Sequence, residues 1–310
     1  MQHETNRALT MPLEQLKALL ETMRPKQWVK NAIVFGGLVF SERGLALHPD
    51  AILRAVAAFA IFCLMSSAAY ILNDLKDIEK DRAHPTKRDR PLPSGRLSET
   101  TARIAFLLIL ALGLLSAYTL APLFGAVALL YIANNFLYNW ILKSMVILDV
   151  FSIAAGFVLR AVGGAVAVGV LISPWLYVLT VLLALFLGIS KRRHELHLLE
   201  EGRGAFRKVL TEYSAPMLEE MLSVVTASTV IAYSIYTFTA ESLPDNHAMM
   251  LTIPFVIYGI FRYLYLVHSE NDAPPDEMLF KDRPMLITTF LWGVTVILIL
   301  YGFGNRAAGV

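Results

Sequence analysis

The chain has 310 residues, of which 56% are hydrophobic, with a mean hydropathy of +0.56 and a formal net charge of +2. That is too apolar for an ordinary soluble domain and too close to neutral for a nucleic-acid binder, so the expected solvent is a bilayer. The single cysteine, Cys63, lies in an apolar run, which excludes a disulfide framework and reads as packing.

The N-terminal stretch has no apolar core behind a basic start, as a secretory leader would have. Leu13, Leu16, Leu19, Leu20 and Met23 share one helical face there, with Glu14, Gln15, Lys17 and Glu21 elsewhere. This predicts a cytoplasmic or interfacial helix within 1–27, lying in the membrane surface or capping the loops beside it. Nine apolar runs of spanning length follow, at 28–47, 50–72, 101–119, 122–141, 147–168, 174–190, 221–240, 248–267 and 285–303. The expected fold is an all-α integral membrane protein: one nine-helix domain over 28–303 and a short tail, 304–310. Of the 27 Lys and Arg, all but Arg43, Arg54, Arg306 and the mid-span Arg160 fall on the side of the N-terminus and the loops after the even-numbered runs. The positive-inside bias therefore puts the N-terminus and the loops 73–100 and 191–220 in the cytoplasm. The second and sixth runs both end in long charged loops, as two four-helix halves plus one helix would.

Several polar groups stand out along this order. Lys30 lies inside the first run, where a cation is costly unless it faces a cavity or snorkels to headgroups. Asp74, Asp77 and Asp81 follow the second run at i, i+3, i+7, one face of a helix. Carboxylates this close repel unless a cation sits among them, and an oxygen-rich site of this kind suits Mg2+ with phosphate as co-ligand. The plainer alternative is a solvated helix end paired with Lys76 and Lys80. Lys87, Arg88 and Arg90 are framed by Pro85, Pro91 and Pro93, which stiffen a phosphate-binding loop beyond what topology alone requires. Asn134 and Asn135, with Tyr138, need partners or a polar cavity within the fourth run, and Lys143 closes that run. Arg160, flanked by Gly156, Gly163 and Gly164, reads as cavity-facing, or as one half of a buried pair with Asp149. Lys191, Arg192 and Arg193 make the end of the sixth run basic, suited to a second anionic group; His194 and His197 lack an evident third ligand for a metal. Asp282, between Lys281 and Arg283, reads as a local pair or as a group closing the cytoplasmic side.

The pattern Asn73-Asp74-x-x-Asp77-x-x-x-Asp81 at the end of the second of nine helices resembles the UbiA prenyltransferase superfamily, over Arg24 to Tyr301. That resemblance implies a nine-helix bundle that uses two aspartate-rich motifs with Mg2+. The second motif's position here reads Lys191-Arg192-Arg193-His194-Glu195-Leu196. With Arg24 to Asn31, His84 to Arg88 and Asp282-Arg283-Pro284, this departure is similar to the branch of decaprenyl-phosphate phosphoribosyltransferases. The branch implies transfer of 5-phosphoribosyl from phosphoribosyl pyrophosphate to a membrane polyprenyl phosphate, at the cytoplasmic face of the plasma (bacterial inner) membrane, toward cell-wall arabinan precursors. By resemblance Asp74, Asp77 and Asp81 are catalytic and hold Mg2+, and Asn73 orients phosphate or ribose. Lys30, Lys87, Arg88 and Arg90 bind the donor's phosphates. Lys143, Arg160, Lys191 and Arg192 serve the acceptor phosphate or the donor 5′-phosphate, and Tyr138 lines the substrate site. The competing expectations are prenyl transfer to an aromatic ring and anion transport past Lys30 and Arg160. Association into a homo-oligomer is left open.

Overall fold

The computed structural model describes residues 2–40, 45–84, 87–202, 208–269 and 281–302, with side chains from Leu13 onward. Pro85 and Thr86, the middle of the 191–220 stretch and the 304–310 tail fall outside them. Among the described residues there are helices and turns and no strand. The chain opens with α1 (Gln2–Met23), a 3-10 helix (Pro25–Phe35) and α2 (Gly36–Phe40). It continues through α3 (Pro49–Lys76), α4 (Ile78–Arg82), α5 (Glu99–Leu120), α6 (Pro122–Trp140) and α7 (Leu148–Val168). It ends with α8 (Pro174–Glu200), α9 (Ala215–Thr239), α10 (Ile253–His268) and α11 (Arg283–Ile297), the last running into a π turn at Leu298–Gly302. Proline opens α3, α6 and α8, where a missing N–H costs nothing. Ser98, Ser214 and Asp282 cap α5, α9 and α11 by accepting from the amides of Thr101, Met217 and Met285.

Seven helical segments among the described residues are long and apolar enough to cross a bilayer. Their outer faces expose leucines, such as Leu107, Leu108, Leu112 and Leu115 of α5. These helices are apolar nearly all round because lipid, not water, is the solvent of their outer face. Inside, α7 joins two cores: Phe62, Met65, Phe124 and Tyr131 on the α3/α6 side, and Phe186, Ile189, Leu218 and Tyr263 on the α8/α9/α10 side.

The structure departs from the sequence-based boundaries in three places. The first apolar run is not one long helix. It is an 11-residue 3-10 helix followed by a five-residue α-helix, seated on α7. The seat needs glycine: a Cβ on Gly164 would lie 1.9 Å from the Val34 carbonyl oxygen, and one on Gly37 would lie 2.7 Å from Ala165 Cα. Backbone meets backbone here, so neither side can yield. Gly164→Val is therefore expected to cost at least about 1–3 kcal/mol, read as a lowered unfolding temperature in detergent. The 122–141 run is helical as expected, but Asn134, Asn135 and Asn139 dilute its hydropathy and α6 is not among the seven. Finally, α3 and α8 reach Lys76 and Glu200, so Asn73, Asp74 and the Lys191 to Leu196 stretch are helical and not loop.

Of the two expectations for α1, the cap describes its buried face. Ala18 and Met23 pack with Ile71, Ile78, Leu92 and Leu97, while Leu13, Leu16 and Leu20 remain exposed on the other side. Arg96 forks onto Glu21 at 2.8 and 3.0 Å, and Gln15 donates to the Arg96 carbonyl and accepts from the Ser98 amide. Thus α1 ties down the 87–98 segment that carries the basic residues.

Candidate active site

The aspartate motif does not lie on one uninterrupted helix. α3 ends at Lys76, Asp77 leaves helical geometry (φ −98°, ψ 11°), and α4 restarts at Ile78. The break sends the carboxylates two ways. The Asp74 and Asp81 side chains turn inward, 3% and 5% exposed, and share one guanidinium: Arg90 Nη1 is 2.8 Å from Asp81 Oδ2 and 3.4 Å from Asp74 Oδ1. Asp74 also accepts from Arg24 Nη2 at 2.5 Å, and Arg24 lies 4.8 Å over the Tyr70 ring. Asp77 faces Lys143 Nζ at 3.4 Å. Lys76, the alternative partner, instead donates to the Asn139 carbonyl at 2.5 Å and lies over Trp140. Three carboxylates are thus balanced by Arg24, Arg90 and Lys143, drawn from three separate stretches of chain.

Among the described residues no three carboxylate, imidazole or thiol groups gather closely enough to cage a metal ion. Asp74 and Asp81 nevertheless reach the same nitrogen from two sides, so Arg90 Nη1 stands where a cation compensates both. Two hard carboxylates around one cation position fit a hydrated Mg2+ that leaves its remaining ligands to water and phosphate.

Two cavities border the Pro25–Phe40 segment. The first, about 170 Å³, is lined by Lys30, Tyr70, Tyr131, Asn134, Tyr138 and Arg160 among others. Arg160 is buried and does not pair with Asp149. It donates to Asn31 Oδ1 and Tyr131 Oη, each at 2.7 Å, and to the Gly156 carbonyl at 2.9 Å, and it stacks 4.6 Å from the Tyr131 ring. Asn134 is satisfied by Ser152, and Asn135 by the Tyr131 carbonyl. Tyr70 borders this cavity and holds Arg24, which links it to Asp74. The second cavity, about 220 Å³, is lined almost wholly by apolar groups such as Ile33, Leu176, Leu183, Val256 and Trp292. Lys30 and Ile33 stand at i and i+3 of the 3-10 helix, positions that eclipse in that helix type, so one edge of the N-terminal segment serves both cavities.

A sequence profile of the UbiA prenyltransferase family matches residues 32–292. The chain belongs to that family. Named relatives include the decaprenyl-phosphate phosphoribosyltransferase of Mycobacterium tuberculosis, 29% identical over 92% of this chain and 95% of the relative. The enzyme of the same name from Mycolicibacterium smegmatis is 30% identical over 97% and 98%. Among solved structures, a UbiA homolog from Archaeoglobus fulgidus bound to GPP and Mg2+ superposes with a TM-score of 0.68 at 21% identity, covering 93% of this chain and 98% of that one. This UbiA-family protein is accordingly a multi-pass membrane transferase, with its aspartate motif at the end of α3.

The structure places the residues singled out from sequence as follows, with Arg192 away from the others. Asp74, Asp77, Asp81, Arg90 and Lys143 form the cluster; Lys30, Tyr138 and Arg160 line the polar cavity; Asn73 is half-buried on the last turn of α3. Lys87 is half-buried and Arg88 exposed on a short 3-10 turn, and Lys191 is half-buried on α8. Arg192 is relocated. It is 1% exposed, with Nε 2.7 Å from Asp149 Oδ2 and Nη1 on Glu195, so its charge is spent inside the protein. Its placement follows from helical phase: α8 continues past Ser190 and turns Arg192 to the buried side. Asp282, likewise, pairs with Arg262 at 2.8 Å and not with its chain neighbours, which fastens α11 to α10. The Arg262 guanidinium, with the Met285 amide, holds the Asp282 carboxyl below the usual carboxylate range. Sequence reasoning gave no role to Arg24, Asn31, Tyr70 or Tyr131. Only the left-handed backbone of Arg24 (φ 54°) and tertiary packing bring them to the site.

Proposed function

We propose that this protein transfers 5-phosphoribosyl from phosphoribosyl pyrophosphate to a membrane polyprenyl phosphate, with release of pyrophosphate. The observation that carries the reading is the cationic cavity of Lys30 and Arg160 beside a single aspartate cluster, in a chain whose second acidic position is occupied by an internally neutralised arginine. An acceptor that is itself a phosphate needs cations where an aromatic acceptor would not. The names of the relatives support the same reading.

In this account Asp74, Asp77 and Asp81 would hold Mg2+, which when bound supplies charge stabilisation for the leaving pyrophosphate. Arg24, Arg90 and Lys143 turn from the carboxylates toward phosphate oxygens, Arg as bidentate forks and Lys as a point charge. Lys87, Arg88 and Lys191 supply charge at the rim, and Asn73 orients the ribose or its phosphate. Arg160 uses three of its five N–H donors within the protein, leaving two for the acceptor phosphate beside Lys30. The isoprenoid chain occupies the apolar cavity. The acceptor phosphate is already ionised, so no protein base is required. Its oxygen bonds to C1 of the ribose as the C1–pyrophosphate bond breaks, and positioning supplies much of the acceleration. This reading includes nine crossings, counting α6 and the Pro25–Phe40 segment. It puts the N-terminus and the aspartate cluster on the cytoplasmic side of the plasma membrane.

His84 gives the account a pH dependence. Its Nδ1 accepts from the Lys87 amide at 3.3 Å, and burial, with help from the Lys87 charge, pushes its pKa below the ordinary value. A histidine kept neutral in the fold supports its loop above the unfolded value of about 6.5, and that support is lost as pH falls from there toward the lower folded value. The donor KM is expected to rise several-fold between about pH 6.5 and 5.5, and His84→Asn, which keeps an acceptor, is expected to flatten the rise.

The function itself is tested with ribose-labelled phosphoribosyl pyrophosphate and decaprenyl phosphate in proteoliposomes. Label is expected in the lipid phase. An unlabelled lipid phase, together with prenylation of an aromatic acceptor from an isoprenoid diphosphate, would replace this reading by ordinary prenyl transfer. Anion uptake without any chemical product would replace it by transport.

A further inference from the structure

The turn between α6 and α7 contains the one backbone feature of this region that an L-residue resists. Ile147 has φ 70° and ψ −50°, and the Leu148 amide donates to the Val146 carbonyl at 2.8 Å across it. This is a three-residue γ-turn in its strained, positive-φ form, at a β-branched residue. Such a conformation persists only where its surroundings over-determine it, and it tends to sit at functional sites.

The surroundings here are specific. The Ile147 amide donates to Tyr213 Oη at 2.7 Å, and Tyr213 Oη donates to Asp149 Oδ1 at 2.6 Å. Asp149 is fully buried, and its other oxygen is 2.7 Å from Arg192 Nε, which is held in turn by Glu195. The chain Ile147–Tyr213–Asp149–Arg192 thus joins the α6–α7 turn, the segment before α9 and α8. Each proton has one direction to go: the phenol accepts from the amide and donates to the carboxylate. Burial and the Asp149 hydrogen bond push the Tyr213 phenol up, so it stays a donor at any physiological pH. On the near side of the same turn, Lys143 sits in the 3-10 turn Leu142–Ser144 and reaches Asp77 at 3.4 Å.

We propose that Tyr213 is a positioning residue: by holding the strained Ile147 turn, it aims Lys143 at Asp77 and so at the diphosphate of the donor. Asp149 and Arg192 are its anchor, which gives the buried basic residue of α8 a part in the site without contact with substrate. The inference rests on the diphosphate-binding reading of the Asp77 cluster, but not on which diphosphate ester the enzyme uses.

Mg2+–pyrophosphate is therefore the probe, measured by titration of the detergent-solubilised protein, since it is common to a phosphoribosyl and a prenyl donor. Tyr213→Phe is expected to weaken Kd about fivefold or more, Lys143→Met about tenfold, and the double variant no more than Lys143→Met alone, the signature of two residues acting through one contact. Ile147→Gly adopts the positive φ without strain, so in that background Tyr213→Phe is expected to lose most of its effect while the unfolding temperature still falls. A wild-type Kd in Tyr213→Phe, effects that multiply in the double variant, or an undiminished Tyr213→Phe effect in the Ile147→Gly background would each overturn the proposal. Wild-type protein that binds Mg2+–pyrophosphate but transfers no phosphoribose would instead count against the proposed donor and leave this inference standing.

Discussion

Asp74→Ala is expected to lower transfer by about a thousandfold, the scale of several kcal/mol of lost charge stabilisation at the leaving group, while the protein stays folded. The expectation follows from the geometry. Asp74 meets Arg24 at 2.5 Å and shares Arg90 with Asp81, so its removal unbalances the cluster and deletes one of two carboxylates around the cation position. Folding should survive because Arg24 and Arg90 are 27% and 31% exposed and can turn to water when their partner is lost. Asp74→Asn keeps the shape and an acceptor oxygen without the charge, and is expected to fall nearly as far. Steady-state transfer beside thermal unfolding of the same preparations separates lost chemistry from a lost fold.

The second large effect belongs to Arg160. Arg160→Met leaves Asn31 Oδ1 and Tyr131 Oη without their guanidinium donor in the middle of the bundle, while the Gly156 carbonyl keeps its helical partner. Buried acceptors left unmade are expected to cost about 3 kcal/mol in total, and the cavity loses the cation facing Lys30. Arg160→Lys is the informative partner. It keeps the charge, but a single ammonium cannot reproduce the planar fork that serves three separate acceptors. Activity is expected to collapse in Arg160→Met and to fall about tenfold to a hundredfold in Arg160→Lys, with the acceptor KM raised more than the donor KM. A donor KM raised more than the acceptor KM would place Arg160 on the donor.

The aspartate motif was legible in the chain because a carboxylate at i, i+3, i+7 next to a membrane span has few inexpensive explanations. The break at Asp77 was not, because hydropathy and spacing carry no signal for one residue's φ and ψ. Arg160 was legible for the same energetic reason as the aspartates: a mid-span cation must be paired or functional. Its partners were not, since Asn31 and Tyr131 converge only when the 3-10 segment seats on α7, and that seat turns on Gly164 meeting Val34. Arg192 shows the opposite failure. A run of three basic residues reads as a phosphate site, yet helical phase turned the middle one inward to Asp149, a carboxylate that composition alone suggested for Arg160. The helices of the bundle followed from hydropathy, whereas the first apolar run, with Pro25 ahead of it and paired glycines within it, had the composition of a span and the geometry of a short, broken segment.

The central claim is that the Asp74–Asp77–Asp81 cluster holds the pyrophosphate of a sugar donor. The most direct measurement is Mg2+-dependent pyrophosphate release by the purified protein in proteoliposomes containing polyprenyl phosphate. The account expects release from phosphoribosyl pyrophosphate, one pyrophosphate for each lipid-linked phosphoribose, and release about a thousandfold slower with Asp74→Ala. Release from an isoprenoid diphosphate but not from phosphoribosyl pyrophosphate would contradict it.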